Sequence, residues 1–490
     1  MFTTRRTSWT ILIVLASLVS IPTVDREWLF QYPKLIVLGA GVLLAGLAAI
    51  FSRQQLYSSL PRWSVVLLVA YLGWTLLTNT ALSSQPTYTL LGWVNWNGGY
   101  VTTSLFILTL LLASLVRRGD GVREGEARWL WMLLGFTAVM TTICTLEMLG
   151  FSPVLGSPWF AWQGRSLSIG QSSFPIATIG NSGWVAGLWL LLAPLPYLLQ
   201  RTAPAWSLVW HGLIALGVGS VHSKAVLLAY VAMHVGVASY RLLRAPPQER
   251  RLWSRTVLLA VTCIGLAWTS TAAMQSLNTV LYERGWAGRL NSEIKLNQEA
   301  YRTSAAARFA IYRATWRLIQ EQPIQGWGLE TLHHRFYNVF TPAEYRAFIG
   351  PMVDLKPDES LRRFGSLHVV VHNDRPKEAL RMQFFDIVKP HNVVLEELYS
   401  NGLIGLLLLT SALVLVVRQI LMWGGPQEKL LLLGVGLYFA YLLLWFTTVA
   451  VTPLACVLLA FASRGAAERA RGGWQVPGWT AEPGPPTLSP

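Results

Sequence analysis

The chain has 490 residues, 53% hydrophobic and only 13% charged, with 23 tryptophans and a formal charge of +15. Soluble domains carry about 25% charged residues, so this deficit excludes an ordinary soluble fold and indicates a polytopic membrane protein. The basic excess does not indicate nucleic acid, because Arg and Lys cluster at the ends of apolar runs, where they set topology.

In chain order, runs long enough to cross the hydrocarbon core, about 20 residues each, lie near 8–24, 34–52, 63–83, 99–116, 129–149, 180–199, 206–222, 224–241, 254–273, 402–417, 429–448 and 451–463. The first follows Arg5 and Arg6 but has no clear small-x-small cleavage site, so it reads as a retained helix. Threading twelve spans puts Arg5, Arg62, Arg117, Arg118, Arg201, Arg241, Arg244, Arg418, Arg464 and Arg471 on one side. Positive charge stays with the cytoplasm, so both termini are expected there and 274–401 faces outward. The expected division is 1–273 with nine spans, 274–401 as one large outward loop, 402–464 with three spans, and a Pro- and Gly-rich tail, 465–490, without order. The fold class expected is all-α, with about 12 transmembrane helices and a mainly helical outward loop. Cys144, Cys263 and Cys456 lie inside apolar runs and give neither a disulfide pattern nor zinc spacing, so neither metal nor other cofactor is expected.

A loop as long as 274–401 is usually functional or has its own structure. Within it, Phe309, Tyr312, Trp316 and Ile319 recur at helical spacing and predict a helix over Ser304–Gln322, ended by Pro323. Gly326-Trp327-Gly328 predicts a turn. A second helix is expected over about 377–386. Pro390 supplies a helix-start signal for a motif helix that begins near Asn392 and passes into the 402–417 span.

Four places carry candidate chemistry. His391 stands beside Asn392 where loop meets membrane; its blander reading is a polar residue satisfying a helix start. The second His-Asn pair, His372-Asn373, lacks the downstream glycines and reads as a surface feature. Arg308 lies on the loop helix with Arg313 and Arg317, and a guanidinium there can hold a lipid diphosphate in bidentate fashion. Arg313 and Arg317 share a face and read as solvated, with Arg313 kept as a further phosphate contact. Lys224 opens a span after Ser223, where function and snorkelling to the interface compete evenly. Pro175–Gly183, with Asn181, allows a broken helix start that lines a cavity, or is a turn. The chain has no Asp-x-Asp, P-loop, His-Glu-x-x-His or Gly-x-Ser-x-Gly, so an already activated donor suits it better than a nucleotide.

On these residues the chain resembles the bacterial O-antigen ligase and polymerase superfamily of membrane glycosyltransferases. His391-Asn392, nine residues, Gly402, two residues, Gly405 fits the ligase-type pattern. Arg308-x-x-x-Tyr312 followed by Pro323-Ile324-Gln325-Gly326-Trp327-Gly328 is similar to the family's Arg-led helix and Pro-x-x-Gly-x-Gly turn, and Gly180-Asn181 to its Gly-Asn at a span start. The resemblance covers about 170 to 405. Two positions depart: relatives commonly carry Ser-Arg where this chain has Ser223-Lys224, and an Arg near the fourth span where Leu91–Asn97 has none.

The resemblance implies a metal-independent, inverting glycosyltransferase of the bacterial inner membrane. The donor is then a glycan on undecaprenyl diphosphate, and transfer occurs on the periplasmic face. Arg308, with Lys224 second, would balance the diphosphate charge. His391 would orient or deprotonate the acceptor hydroxyl. Asn392, Asn181 and Arg313 would hold donor or glycan. The acceptor is expected to be lipid A-core, with a second glycan repeat (polymerase) or a protein hydroxyl (oligosaccharyltransferase) as alternatives. A multi-span transporter without chemistry is the reading from another class; it would show inverted repeats, and the single large loop is asymmetric.

Overall fold

The computed structural model describes residues 2–19, 32–51, 56–92, 98–117, 126–151, 178–179, 182–200, 202–221, 223–244, 250–285, 298–350, 355–364, 367–372, 374, 379–384, 387–445 and 447–471. Mostly helical, the chain opens with α1 (Phe2–Val19), α2 (Tyr32–Ile50), β1 (Leu56–Ser58), α3 (Arg62–Thr80), α4 (Pro86–Leu91), α5 (Tyr100–Ala113) and β2 (Leu115–Arg117). It continues with α6 (Glu126–Met148), α7 (Ser182–Leu192), α8 (Pro196–Leu199), α9 (Pro204–Ser220), α10 (Lys224–Arg244) and α11 (Arg250–Glu283). A non-bundle segment then carries α12 (Gln298–Glu321), α13 (Leu332–Arg335), a 3-10 turn (Phe336–Val339), α14 (Pro342–Ile349) and strands β3 (Glu359–Phe364), β4 (Leu367–His372) and β5 (Ala379–Phe384). The long α15 (Val393–Trp423), α16 (Pro426–Leu442) and α17 (Thr452–Arg471) close the described chain.

Each apolar run of the sequence overlaps helix. Among the described residues, five stretches, Pro33–Ile50, Arg62–Thr80, Arg128–Met148, Val257–Glu283 and Val393–Trp423, are long and apolar enough to cross a membrane, and Tyr100–Ala113 and Gly183–Leu199 are shorter apolar helices. This makes a multi-pass membrane protein. The 180–199 run is not one straight span: Pro194 and Pro196 divide it into α7 and α8, as a missing N–H and a ring clash require. Helix α11 continues beyond 273 to Glu283.

Two apolar cores form. The larger joins the bundle helices, with Trp189, Trp210, Tyr230 and Tyr438 fully enclosed. The smaller belongs to the segment between α11 and α15, and gathers Ile311, Leu318, Phe336, Phe348 and Val370 with Tyr399 of α15. Tyr399 thereby ties that segment to the bundle.

The structure corrects one expectation. The helix expected over 377–386 is strand β5, antiparallel to β4, which pairs with β3. Leu380, Met382 and Phe384 alternate with Arg381 and Gln383, the period-two pattern of a strand, and the valines of β4 favour the pleat. The fold is therefore not all-α. Helix α12 is as expected, and it turns Ile311, Ala314, Leu318 and Ile319 to the core while Phe309 and Trp316 are exposed. The motif helix starts where expected, with Asn392 as its N-cap and Pro390 just ahead of it.

Candidate functional site

The joint between α12 and α15 sets the site. Helix α15 breaks at Gly402, whose φ of 65° and ψ of −169° interrupt the helical path. A break leaves amides and carbonyls to satisfy, and the turn after α12 satisfies them. The amides of Leu403 and Ile404 donate to the carbonyls of Pro323 and Ile324 at 2.8 and 3.5 Å. In return, the amides of Trp327 and Gly328 donate to the carbonyls of Tyr399 and Ser400 at 2.7 and 2.9 Å. The Trp74 indole of α3 donates to the carbonyl of Asn401 at 2.8 Å. The approach demands glycine on both sides. A β-carbon at Gly402 would stand 2.1 Å from the Ile324 oxygen, and one at Gly326 2.6 Å from the Gly402 nitrogen. Gly405 is small for a related reason, since its β-carbon would meet that of Asn401 at 2.3 Å. The Pro-x-x-Gly-x-Gly and Gly-x-x-Gly spacings are two halves of one interlock.

This interlock holds His391 against α12. His391 adopts φ 55°, and its carbonyl accepts a 3.0 Å hydrogen bond from the Tyr312 hydroxyl. One helical turn earlier, Arg308 lies with its guanidinium carbon 5.7 Å from the centre of the Trp445 ring. The His391 imidazole meets the same indole edge-on at 5.1 Å. The two residues singled out from sequence therefore converge on one tryptophan. Burial, then the positive charge of Arg308, push the His391 pKa down to about 4, and only a hydrogen bond with the Lys389 backbone works the other way. The imidazole is therefore neutral at pH 7.

Beside it lies a buried charge cluster the sequence reading missed. Lys389, 4% exposed, is 2.8 Å from Glu396 and 3.7 Å from Glu330. Glu330 also accepts a 2.6 Å hydrogen bond from the Gly98 amide. Burial opposes the ammonium, but the carboxylates of Glu396 and Glu330 more than offset it and raise the Lys389 pKa. Next on α15, Glu397 accepts from the Tyr71 hydroxyl at 3.1 Å and the Asn401 amide at 2.9 Å. Glu396-Glu397 is a carboxylate pair in an otherwise apolar helix, a signal of function or of buried pairing that was legible. Trp445 had no such signal.

An apolar cavity of about 100 Å³ runs along this helix. Phe106, Leu110, Leu413, Phe439 and Leu459 are among its lining residues, with Val393 and Glu396 of α15.

The remaining expected residues are placed differently. The Asn392 side chain caps α15, accepting from the amides of Val394 and Leu395 at 3.0 and 3.1 Å and donating to the Leu443 carbonyl at 2.8 Å. Arg313 points to Glu344 at 3.9 Å, where Arg317 makes the closer pair at 2.8 Å. Lys224 is exposed at the start of α10, a helix that packs on α7, α9 and α11 and shares no substantial contact with α12 or α15. Asn181 lies outside the described residues, as do Gly180 and the tail beyond 471.

Residues 208–358 match a family model described as Wzy_C, O-antigen ligase, which supports placing the chain in the O-antigen ligase superfamily. The matched stretch contains Arg308 and the Gly326-Trp327-Gly328 turn and ends before His391. A search of curated proteins finds no match.

Proposed function

We propose that the chain is a ligase-type glycosyltransferase that moves a glycan from undecaprenyl diphosphate to an acceptor hydroxyl, lipid A-core first among acceptors, at the periplasmic face of the inner membrane. The observation that carries this is the meeting of Arg308 and His391 on Trp445, next to an apolar cavity. The match over 208–358 supports the family-level part, a glycosyltransferase-type enzyme with a lipid-linked donor.

In this reading the cavity takes part of the isoprenoid and leaves the diphosphate at its mouth. Arg308 balances charge on the diphosphate as the anomeric C–O bond breaks. Neutral His391 accepts a hydrogen bond from the acceptor hydroxyl and takes its proton as that oxygen attacks the anomeric carbon. Undecaprenyl diphosphate leaves, and configuration at the sugar inverts. A pKa near 4 is low for a base at pH 7, but an anionic donor beside Arg308 cancels one cause of the depression, so donor binding raises the basicity of His391.

The deciding experiment is reconstitution with a defined undecaprenyl-diphosphate glycan and, separately, lipid A-core, a second lipid-linked repeat and an acceptor protein. Product on lipid A-core is expected. Product only on a glycan repeat or a protein would move the assignment within the superfamily. Vectorial lipid movement with no product would replace it with transport.

A further inference from the structure

Away from the Trp445 group, three bundle helices bring together a set of metal-binding side chains. His211 of α9, His234 of α10 and Cys263 of α11 place one ligand atom each within 4.8 Å of one another. All three are almost fully enclosed, at 1%, 0% and 3% exposure. Close backbone approach makes this possible: a β-carbon at Gly219 of α9 would stand 2.7 Å from the Ala267 carbonyl of α11. Among the described residues, Nε2 of His211 and Nε2 of His234 have no hydrogen-bond partner, while the Tyr230 hydroxyl meets the Cys263 thiol in a side-chain hydrogen bond. Nδ1 of His234 lies 2.7 Å from the Tyr197 hydroxyl. A proton on Nδ1 donated to that phenol oxygen leaves the Nε2 lone pair available, the arrangement that orients metal-bound histidines.

Simple packing explains part of this. The rings of Tyr197 and His211 meet edge-on at 4.6 Å, and those of Tyr230 and His234 at 4.4 Å. Packing does not explain why two imidazole nitrogens sit buried beside a thiol without partners, since buried polar groups are nearly always satisfied. One ion would satisfy them together.

We propose that His211, His234 and Cys263 form an intramembrane site for a d10 metal ion, copper(I) or zinc(II), that clips α9, α10 and α11 together. On binding, the Cys263 thiol gives its proton to solvent and the thiolate forms a metal–sulfur bond, while two imidazole lone pairs complete a three-ligand set. Two histidines and a thiolate suit both ions. Charge separates them. Copper(I) and one thiolate sum to zero, whereas zinc(II) leaves a net positive site near the Arg241 guanidinium, which already lies 4.9 Å from the Tyr197 ring. Unbalanced charge is costly in a low-dielectric interior, so copper(I) is the tighter ligand. The site is separate from glycan transfer.

The test uses full-length protein purified in detergent, stripped with chelator, and titrated anaerobically with copper(I) alone and zinc(II) alone against chromophoric competitors. One equivalent should bind, with copper(I) at least about tenfold tighter, and the melting temperature should rise. Cys263→Ser should weaken binding by at least about a hundredfold, because loss of even an outer partner costs about ten- to a hundredfold, and should abolish the melting shift. If His211 or His234 variants do not fold, wild type and Cys263→Ser still decide the matter. A sharply melting wild-type protein that binds neither ion, or binding unchanged by Cys263→Ser, overturns the site.

Discussion

His391 combines a left-handed backbone, φ 55°, with a ring kept neutral far below the ordinary histidine range. The backbone state is uncommon for a residue with a side chain, and the Tyr312 hydrogen bond helps hold it. Substituting His391→Ala should lower glycan transfer by about 10²- to 10⁴-fold, the usual worth of a positioned acid or base. The check is single-time-point transfer in membranes with equal protein abundance; wild-type rates would remove His391 from the mechanism. The depressed pKa also fixes a pH dependence. A histidine whose pKa falls on folding contributes its full stability above its unfolded value, about 6.5, and loses it as pH drops toward 4. For activity, kcat/KM reports the free enzyme, so its acid limb should have a midpoint near 4. Arg308→Gln should move that limb upward and weaken donor binding. A wild-type limb at about 6.5 that Arg308→Gln leaves unmoved would contradict the geometry. At this scale His391 and Arg308 stood out in the sequence as candidates, because chemistry-bearing types stood at a loop-membrane boundary. Trp445, which joins them, lies in the α16–α17 connection, and spacing along the chain carries no sign of it. Nor did the cysteine spacing foretell the cluster at Cys263, whose imidazole neighbours come from two other helices.

Between elements, the turn after α12 and the break in α15 complete each other. Gly402→Ala faces both a positive φ and the Ile324 oxygen at 2.1 Å. Strain at such a φ alone costs about 1–3 kcal/mol, and the clash adds to it. Thermal unfolding in detergent should therefore show a large loss for Gly402→Ala. Gly436→Ala, in α16 with nothing within 4 Å of the added carbon, should be neutral or gain up to about 1 kcal/mol from helix propensity. Equal responses at the two positions would mean that Gly402 matters only as a generic glycine. The turn and the motif helix were readable because Pro, Gly and Asn carry strong local signals. The sheet was misread: β5 has a clear period of two, but a short apolar-polar segment in a helical context is easily assigned to helix. Which face of α12 is buried was not legible. Phe309 and Trp316 share helical spacing with core positions, and only the placement of Phe336 and Phe348 decides which stripe is covered.

Across the whole molecule, the Lys389–Glu396–Glu330 cluster binds the segment between α11 and α15 to the bundle, and Gly98 brings in the approach to α5. Lys389→Met would leave two carboxylates buried without their cation, so a loss of about 3–5 kcal/mol is expected, read as a lower melting temperature. Loss below 1 kcal/mol would mean that water reaches the cluster. The orientation is checked separately: Asp358→Cys, at an exposed position, should react with a membrane-impermeant maleimide from the periplasmic side, and reaction only after permeabilisation would invert the topology. The bundle was legible because apolar length is a strong constraint. The number of crossings was not, since α7 and α8 divide one run and Lys224 opens another at its edge. One consequence follows from the four backbone bonds that clamp the fracture in α15 to the turn at Gly326. Sliding that helix would unzip all four at once, so the working edge is a fixed anvil. In the proposed reaction, whatever travels is then the cargo, with the carrier backing out and the recipient chain creeping forward past a stationary imidazole.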